Sequence, residues 1–186
     1  TWNGRAANDE LVQSAEDYTA KLAVTDQFGN SSEAEAQISV GILVMEESGI
    51  AGSDVRIRVP NIHFVPYKAD YKNLEDQKMV EENMQILDRV AEILKEYKGY
   101  SIQVEGHAVH MKTDDPEAKR QEQEEILIPL SRDRAEAIKN ALVERGVAEE
   151  RMTVKGLGGS EPVVPHEDYQ NHWKNRRVEF ELKKNE

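Results

Sequence analysis

Tyr100-Ser-Ile-Gln-Val-Glu-Gly-His107 is the stretch on which the fold turns. Tyr100, Ile102 and Val104 alternate with polar residues, which is the period of a strand with one buried face. The strand runs into Gly106-His107. Upstream, between Glu75 and Tyr97, the residues Val80, Met84, Leu87, Ala91, Leu94 and Tyr97 recur at steps of three and four. They form one apolar stripe on a long amphipathic helix, which Gly99 stops. Further upstream, Val55, Ile57 and Val59, then Ile62-His-Phe64, predict a strand interrupted at Pro60.

Downstream lies a charged run from Lys112 to Glu125. Asp115-Pro116 is an N-cap followed by Pro at the first helical position, so a short solvated helix is expected inside an insertion. Ser131 is expected to cap a second helix, with Ala135, Ile138, Ala141 and Leu142 inward and Gly146 just past its end. Arg151-Met-Thr-Val154 predicts a third strand, turning at Gly156-Leu-Gly-Gly159. Arg177-Val-Glu-Phe-Glu-Leu182 predicts the last strand, with Val178, Phe180 and Leu182 on one face. The order is βαβαβ and a final β, an α+β sheet with helices packed on it.

The first part of the chain reads differently. Tyr18, Ala20, Leu22 and Val24 share one face of a strand, Asp26-Gln-Phe-Gly-Asn30 carries turn chemistry, and Ala36, Ile38 and Val40 alternate again. This is a hairpin with one apolar face. The division expected is a β segment at 1–47, a Gly- and Ser-containing linker at 48–54, and an α+β domain at 55–186. Trp2-Asn-Gly4, Leu11-Val12, Tyr18-Thr19, and Thr25-Asp26 with Gly29-Asn30 resemble the closing strands of bacterial Ig-like domains of the FlgD type. A full sandwich needs ~100 residues, so only its last part is implied.

Composition narrows the function classes. The chain has 186 residues, 32% of them charged, and a formal net charge of −12. Such a surface repels nucleic acid and anionic membrane faces. There is no cysteine, which excludes disulfides and thiolate chemistry. The longest apolar run, Ile42-Leu-Val-Met45, is far short of the ~20 residues that span a bilayer. The chain opens at Thr1 without a signal-peptide pattern, so it is expected to be a fragment of a longer precursor, with any membrane attachment in sequence outside it.

Several motifs then fall in one order. Ile62-His-Phe64 with Ala69-Asp70, Ile102-Gln-Val-Glu-Gly-His107, Leu130-Ser-Arg-Asp-Arg-Ala135, Arg145-Gly-Val147, Gly156-Leu-Gly158 with Pro162, and Asn175-Arg-Arg-Val178 resemble the OmpA C-terminal-like, peptidoglycan-associating family across residues 55–186. The resemblance implies a periplasmic domain in the cell envelope, associated with the outer membrane. In that family an Asp in G-H-T-D faces the amine of diaminopimelate, and the Arg of L-S-x-x-R-A faces its carboxylate. The implied pocket maps here onto Phe64, His107, Ala108, Val109, Leu127, Arg134, Asn175 and Arg176.

Three of those positions depart from the pattern. Ala108 and Val109 stand where the family has Thr and Asp, and Leu127 stands where it has Asn. Losing one side of a charge pair commonly costs ~2–5 kcal/mol. The usual diaminopimelate grip is therefore expected to be lost or degenerate, which leaves a scaffold or interaction module for other envelope proteins. The alternative is a wall anchor with altered stem-peptide specificity. For Arg134 two readings stay open: it holds a ligand carboxylate, or it is salt-bridged to Asp133, Glu105 or another neighbour. Of Arg176 and Arg177, one is expected to face the pocket.

Other chemistries fare worse. His107 and His110 form H-x-x-H, but on a strand end positions three apart point to opposite sides, so no metal site is expected from them. His63, His166 and His172 are scattered elsewhere. Gly156-Leu-Gly-Gly159 precedes Glu161-Pro162 rather than a helix with Lys, which argues for a turn over a phosphate cradle. Asp114, Asp115 and the Glu122–Glu125 run read as a solvated face. No nucleophile, base and orienting group form a set, so no enzyme and no cofactor are expected.

Overall fold

The computed structural model describes residues 16–40, 43–46, 55–60, 62–111 and 115–185. The Trp2–Gly4 and Leu11-Val12 motifs, the 48–54 linker and Asp114 lie outside the described residues.

Strands β1 (Glu16–Thr25) and β2 (Ser31–Val40) form the expected hairpin, a two-stranded antiparallel sheet of its own. Its turn is built on Asp26, whose carboxylate accepts the N–H groups of Phe28 and Asn30 at 2.8 and 2.9 Å. Gly29 supplies the positive φ of +84° that closes it. Leu22, Val24 and Ile38 stay exposed, although the alternation predicts a covered face.

The main sheet has five strands in the order β3-β4-β7-β5-β6. They are β3 (Leu43–Glu46), β4 (Val55–Pro60), β5 (Tyr100–His107), β6 (Met152–Gly158) and β7 (Arg177–Lys184). Only β5 and β6 run parallel; the other pairs are antiparallel. The sheet reaches back to Leu43, because β3 pairs with β4 from Leu43↔Arg58 to Glu46↔Val55. The strand expected at Ile62–Phe64 is absent. Pro60 ends β4, and the buried side chain of Asn83 takes over the backbone beyond it. Asn83 accepts the N–H of His63 at 2.8 Å and donates to the carbonyls of His63 and Tyr71 at 2.9 Å.

Helix α1 (Gln77–Glu96) is capped by Asp76, which accepts the N–H of Lys78. It buries Leu87, Val90, Ala91 and Leu94 on the sheet. The second helix departs from expectation. Helix α2 (Pro116–Glu122), capped by Asp115, continues through a π-turn at Gln123–Leu127 into α3 (Ile128–Glu144). Ser131 is thus interior to a helix rather than its cap. The π-turn has a local cause. Pro129 has no N–H and its ring would crowd the carbonyl four residues back, and a wider turn just before it relieves both. Ile128 N–H accordingly reaches back to Gln123.

Ser131 is used in tertiary structure instead. Its Oγ donates to the Ile128 carbonyl at 3.0 Å and accepts the N–H of Gly158 at 2.9 Å. Here α3 lies almost on the backbone of β5 and β6. A Cβ on Gly106 would stand 2.0 Å from the Ser131 carbonyl oxygen, and one on Gly156 2.5 Å from that of Ile128. Glycine at both positions lets the helix seat, which sets how the helix residues meet the strand ends.

The sheet has two unlike faces. Ile57, Val59, Ile102, Val104, Val178, Phe180 and Leu182 are buried among α1 and α3. The opposite face is ionic. Register places Arg58, Glu179, Glu105 and Lys155 in one row across four strands. Among the described residues no helix is long and apolar enough to cross a membrane.

Candidate functional site

The pocket positions implied by the motifs do not form one site: most divide between two sub-sites, while His107 and Leu127 are buried outside both. The first is built on α3. Arg134 lies over the Phe64 ring at 4.8 Å, and its Nε donates to the Lys68 carbonyl at 3.0 Å. Phe64 is itself held edge-on against Tyr71, with centroids 6.4 Å apart. The guanidinium is therefore positioned by a ring face and a carbonyl, with no ion pair to Asp133 or Glu105. Among the described residues no carboxylate lies within 4.0 Å of it. Burial, and then the charge of Arg176, make its protonation harder than is usual for a guanidinium. Two cations share this corner, and an arriving carboxylate would relieve both.

The second sub-site surrounds Val109. A crevice of about 60 Å³ is lined by Ala108, Val109, His110, Lys119, Gly159, Pro162, His166 and Asn175. Ala108 is buried, and its N–H donates to the Gly158 carbonyl at 2.7 Å. The charged insertion forms part of the wall. Glu122 accepts the N–H of Met111 at 3.1 Å and meets His110 Nδ1 at 3.2 Å. Gln123 donates to the Leu157 carbonyl and accepts the N–H of Gly159, both at 2.8 Å. These two residues fasten α2 to both loops of the crevice and bring Lys119 to its rim. The expectation of a merely solvated segment misses this, since Glu122 is buried. Leu127, within the π-turn, is also buried.

Asn175 and its neighbours divide their roles. The Asn175 carboxamide accepts the N–H groups of Val163 and Val164 at 2.8 and 3.0 Å and returns a bond to the Val164 carbonyl. It orders the loop that carries Pro162 and His166. Arg176 is exposed on the Arg134 side, while Arg177 turns under the sheet and donates to Glu179 at 2.6 Å.

His107 is part of the ionic face and does not meet His110. It is 2% exposed, and neither ring nitrogen reaches a protein hydrogen-bond partner. Burial, reinforced by the nearby Arg177 charge, pulls its pKa down to about 3, so the ring is neutral at pH 7. Glu105, His107 and Glu179 bring potential metal-ligand atoms within 4.8 Å of one another. Yet Glu179 is already engaged by Arg58 and Arg177 at 2.6 Å and by Arg56 at 2.9 Å. Burial alone would raise the Glu179 carboxyl, but these guanidiniums outweigh it and bring it down to about 2. Burial raises the Glu105 carboxyl, against the pull of Arg56 and Lys155. Three guanidiniums beside the cluster suit a structural ion network, not a cation.

Of the residues implied by the motifs, Ala108, Val109 and Asn175 line one crevice, and Phe64 and Arg134 meet at one corner. Motif reading missed Lys119, His110 and His166 as crevice residues. Lys119 was hidden because insertion side chains have no motif, and only the π-turn and the Glu122 and Gln123 contacts fix where they point.

Comparison with known proteins agrees with the fold. Residues 75–176 match the model of the OmpA family. The peptidoglycan-binding protein ArfA of Mycobacterium tuberculosis is 34% identical over 102 residues, covering 55% of this chain and 28% of ArfA. The probable lipoprotein YiaD of Escherichia coli is 31% identical over 103 residues, 52% of this chain and 39% of YiaD. The chain thus spans less than half the length of these curated relatives. Among solved structures, the periplasmic domain of Helicobacter pylori MotB superposes with a TM-score of 0.56 at 20% identity, covering 78% of this chain and 81% of that one. The cell wall anchor of the T6SS from Pseudomonas aeruginosa gives 0.54 at 22% identity, covering 76% and 88%. By its fold, its ordered motifs and the family match across more than half its length, this chain belongs to the OmpA family.

Proposed function

We propose that this chain is a non-enzymatic module of the bacterial cell envelope, on its periplasmic side. In this reading it meets peptide carboxylates through the Arg134 corner and has lost the amine-holding half of the family's diaminopimelate grip. The observation that carries the proposal is the contrast between the two sub-sites. Arg134 is positioned on Phe64 and Lys68 without a carboxylate partner. The Val109 crevice, where the family holds an amine, has no carboxylate in its lining. A cationic corner beside a crevice without an anion favours a carboxylate and penalises an ammonium.

The names of the relatives support the envelope setting: a peptidoglycan-binding protein, a probable lipoprotein and a cell wall anchor. A pure scaffold role, with other envelope proteins as partners, is the second reading. The small size of the crevice favours it, since pockets for whole small molecules run to ~300–1,000 Å³.

Calorimetry with a purified muropeptide carrying diaminopimelate tests the proposal. Binding should be about a hundredfold weaker than that of an OmpA-family domain with Asp at the Val109 position. Equal affinity would overturn the loss of grip. Weak binding that disappears in Arg134→Ala supports the carboxylate corner, and no binding to any stem peptide leaves the scaffold reading.

A further inference from the structure

The Val109 crevice has not simply become apolar. Its lining holds a lysine, two histidines, an asparagine and no carboxylate. In a chain with 36 acidic and 24 basic residues, a lining without a carboxylate runs against composition, although the buried Glu122 carboxylate stands behind His110. Lys119 is exposed at the rim, and among the described residues no carboxylate lies within 4.0 Å of its ammonium. His110 is turned by its Nδ1 contact with Glu122 at 3.2 Å, and its other ring edge lies against Gly159. A Cβ on Gly159 would meet His110 Cδ2 at 2.5 Å, so the imidazole edge forms the crevice wall itself. His166 is braced by Tyr169 and His172, with ring centroids 5.5 and 5.0 Å away. Its carbonyl accepts His172 Nε2 at 2.6 Å. The loop bearing it is tied down by Asn175.

We infer that this crevice is a carboxylate-binding sub-site of reversed polarity, in which Lys119, with the His166 imidazole beside it, receives the free carboxylate of a peptide end, and His110, held by Glu122 and Gly159, serves as wall. It rests on the reading of the chain as an envelope module and deepens it. The ligand class becomes a peptide with a carboxylate in the crevice, and a second one where available at Arg134. A free amine plays no part in recognition. The crevice, at about 60 Å³, holds a carboxylate or a few water molecules but not a whole amino acid, so the rest of the peptide lies outside. The insertion acquires a purpose in this scheme. Glu122 and Gln123 anchor α2 so that Lys119 stands at the rim.

The test is a nuclear magnetic resonance titration of the whole chain with N-acetyl-D-alanyl-D-alanine and with its C-terminal amide. The acid should shift the backbone amides of Val109, His110 and Gly159 in a saturable way, and the amide should not. Lys119→Gln should weaken the acid about tenfold, the worth of one charge-assisted contact, while Lys119→Arg retains it. Arg134→Ala should leave the crevice shifts in place. Equal shifts from acid and amide, or an unchanged titration in Lys119→Gln, would overturn the inference. Those failures are separable from failure of the envelope reading, which is read from diaminopimelate muropeptide affinity and its dependence on Arg134. Lys119 is exposed on a helix that accommodates Gln, so the variant keeps its fold.

Discussion

The Arg134 corner and the Val109 crevice lie on one scaffold and present different chemistry. Arg134, from the motif, is positioned by a ring and a carbonyl, with the like charge of Arg176 close by. On the proposed reading, the Val109 half keeps the backbone and replaces the chemistry. Strand β5 still ends at the crevice, but Ala108 and Val109 stand at its mouth and an insertion lysine stands at its rim. A fold fixes where a site lies, while the sign of charge there depends on a few side chains, some from outside the motif.

Beneath the Val109 half lies the largest effect expected. His107 is held neutral, with a pKa of about 3 against an ordinary 6.5. Its unfolded form takes a proton first as pH falls below 6.5, so its contribution to stability declines from pH 6.5 and is gone near pH 3. The span amounts to about 5 kcal/mol. Glu179 adds loss of the same sign between 4.5 and about 2, and Glu105, raised in the fold, opposes it. Denaturant melts of His107→Phe should show a visibly flatter stability profile between pH 6.5 and 4. An unchanged profile would contradict the neutral, buried imidazole.

The next effect joins the halves. Gly106→Ala places a methyl 2.0 Å from the Ser131 carbonyl, so α3 must lift away from β5. A loss of about 3 kcal/mol in urea melts is expected, with both sub-sites displaced together. Arg134→Ala touches one half alone. It should weaken carboxylate-bearing stem peptides by about 2 kcal/mol in calorimetry, with thermal stability little changed. Smallest is the attempt to restore the amine side. Val109→Asp with Ala108→Thr should raise affinity for a diaminopimelate peptide by about 1.4 kcal/mol, roughly tenfold. The gain should grow when Lys119→Gln is added, because Lys119 otherwise competes for the new carboxylate.

Much of the fold is legible in the residues. Alternation at Tyr100–Val104 and Val178–Leu182 and the stripe from Val80 to Leu94 predict strands and helices that the structure places where expected. The failures have physical reasons. Ser131 looks like a cap, but Pro129 forces a π-turn that lets one helix run on, and Ser131 instead serves Gly158. Ile62–Phe64 alternates like a strand, yet Pro60 ends β4 and Asn83 claims the backbone that follows. The hairpin's apolar face predicts cover, and Leu22, Val24 and Ile38 are exposed. In the site, motif residues were readable one by one. The positions of Lys119, His110 and His166 depend on long-range contacts through Glu122, Gln123 and Asn175 that no local pattern encodes.

On the proposed reading, recognition here runs on carboxylates without an amine. Calorimetry of the wild-type chain with a diaminopimelate muropeptide, its amine-acetylated form and its carboxyl-amidated form tests that most directly. Acetylation should change the affinity by less than about threefold, and amidation should weaken it by about tenfold or more. Binding abolished by acetylation and indifferent to amidation would contradict the account.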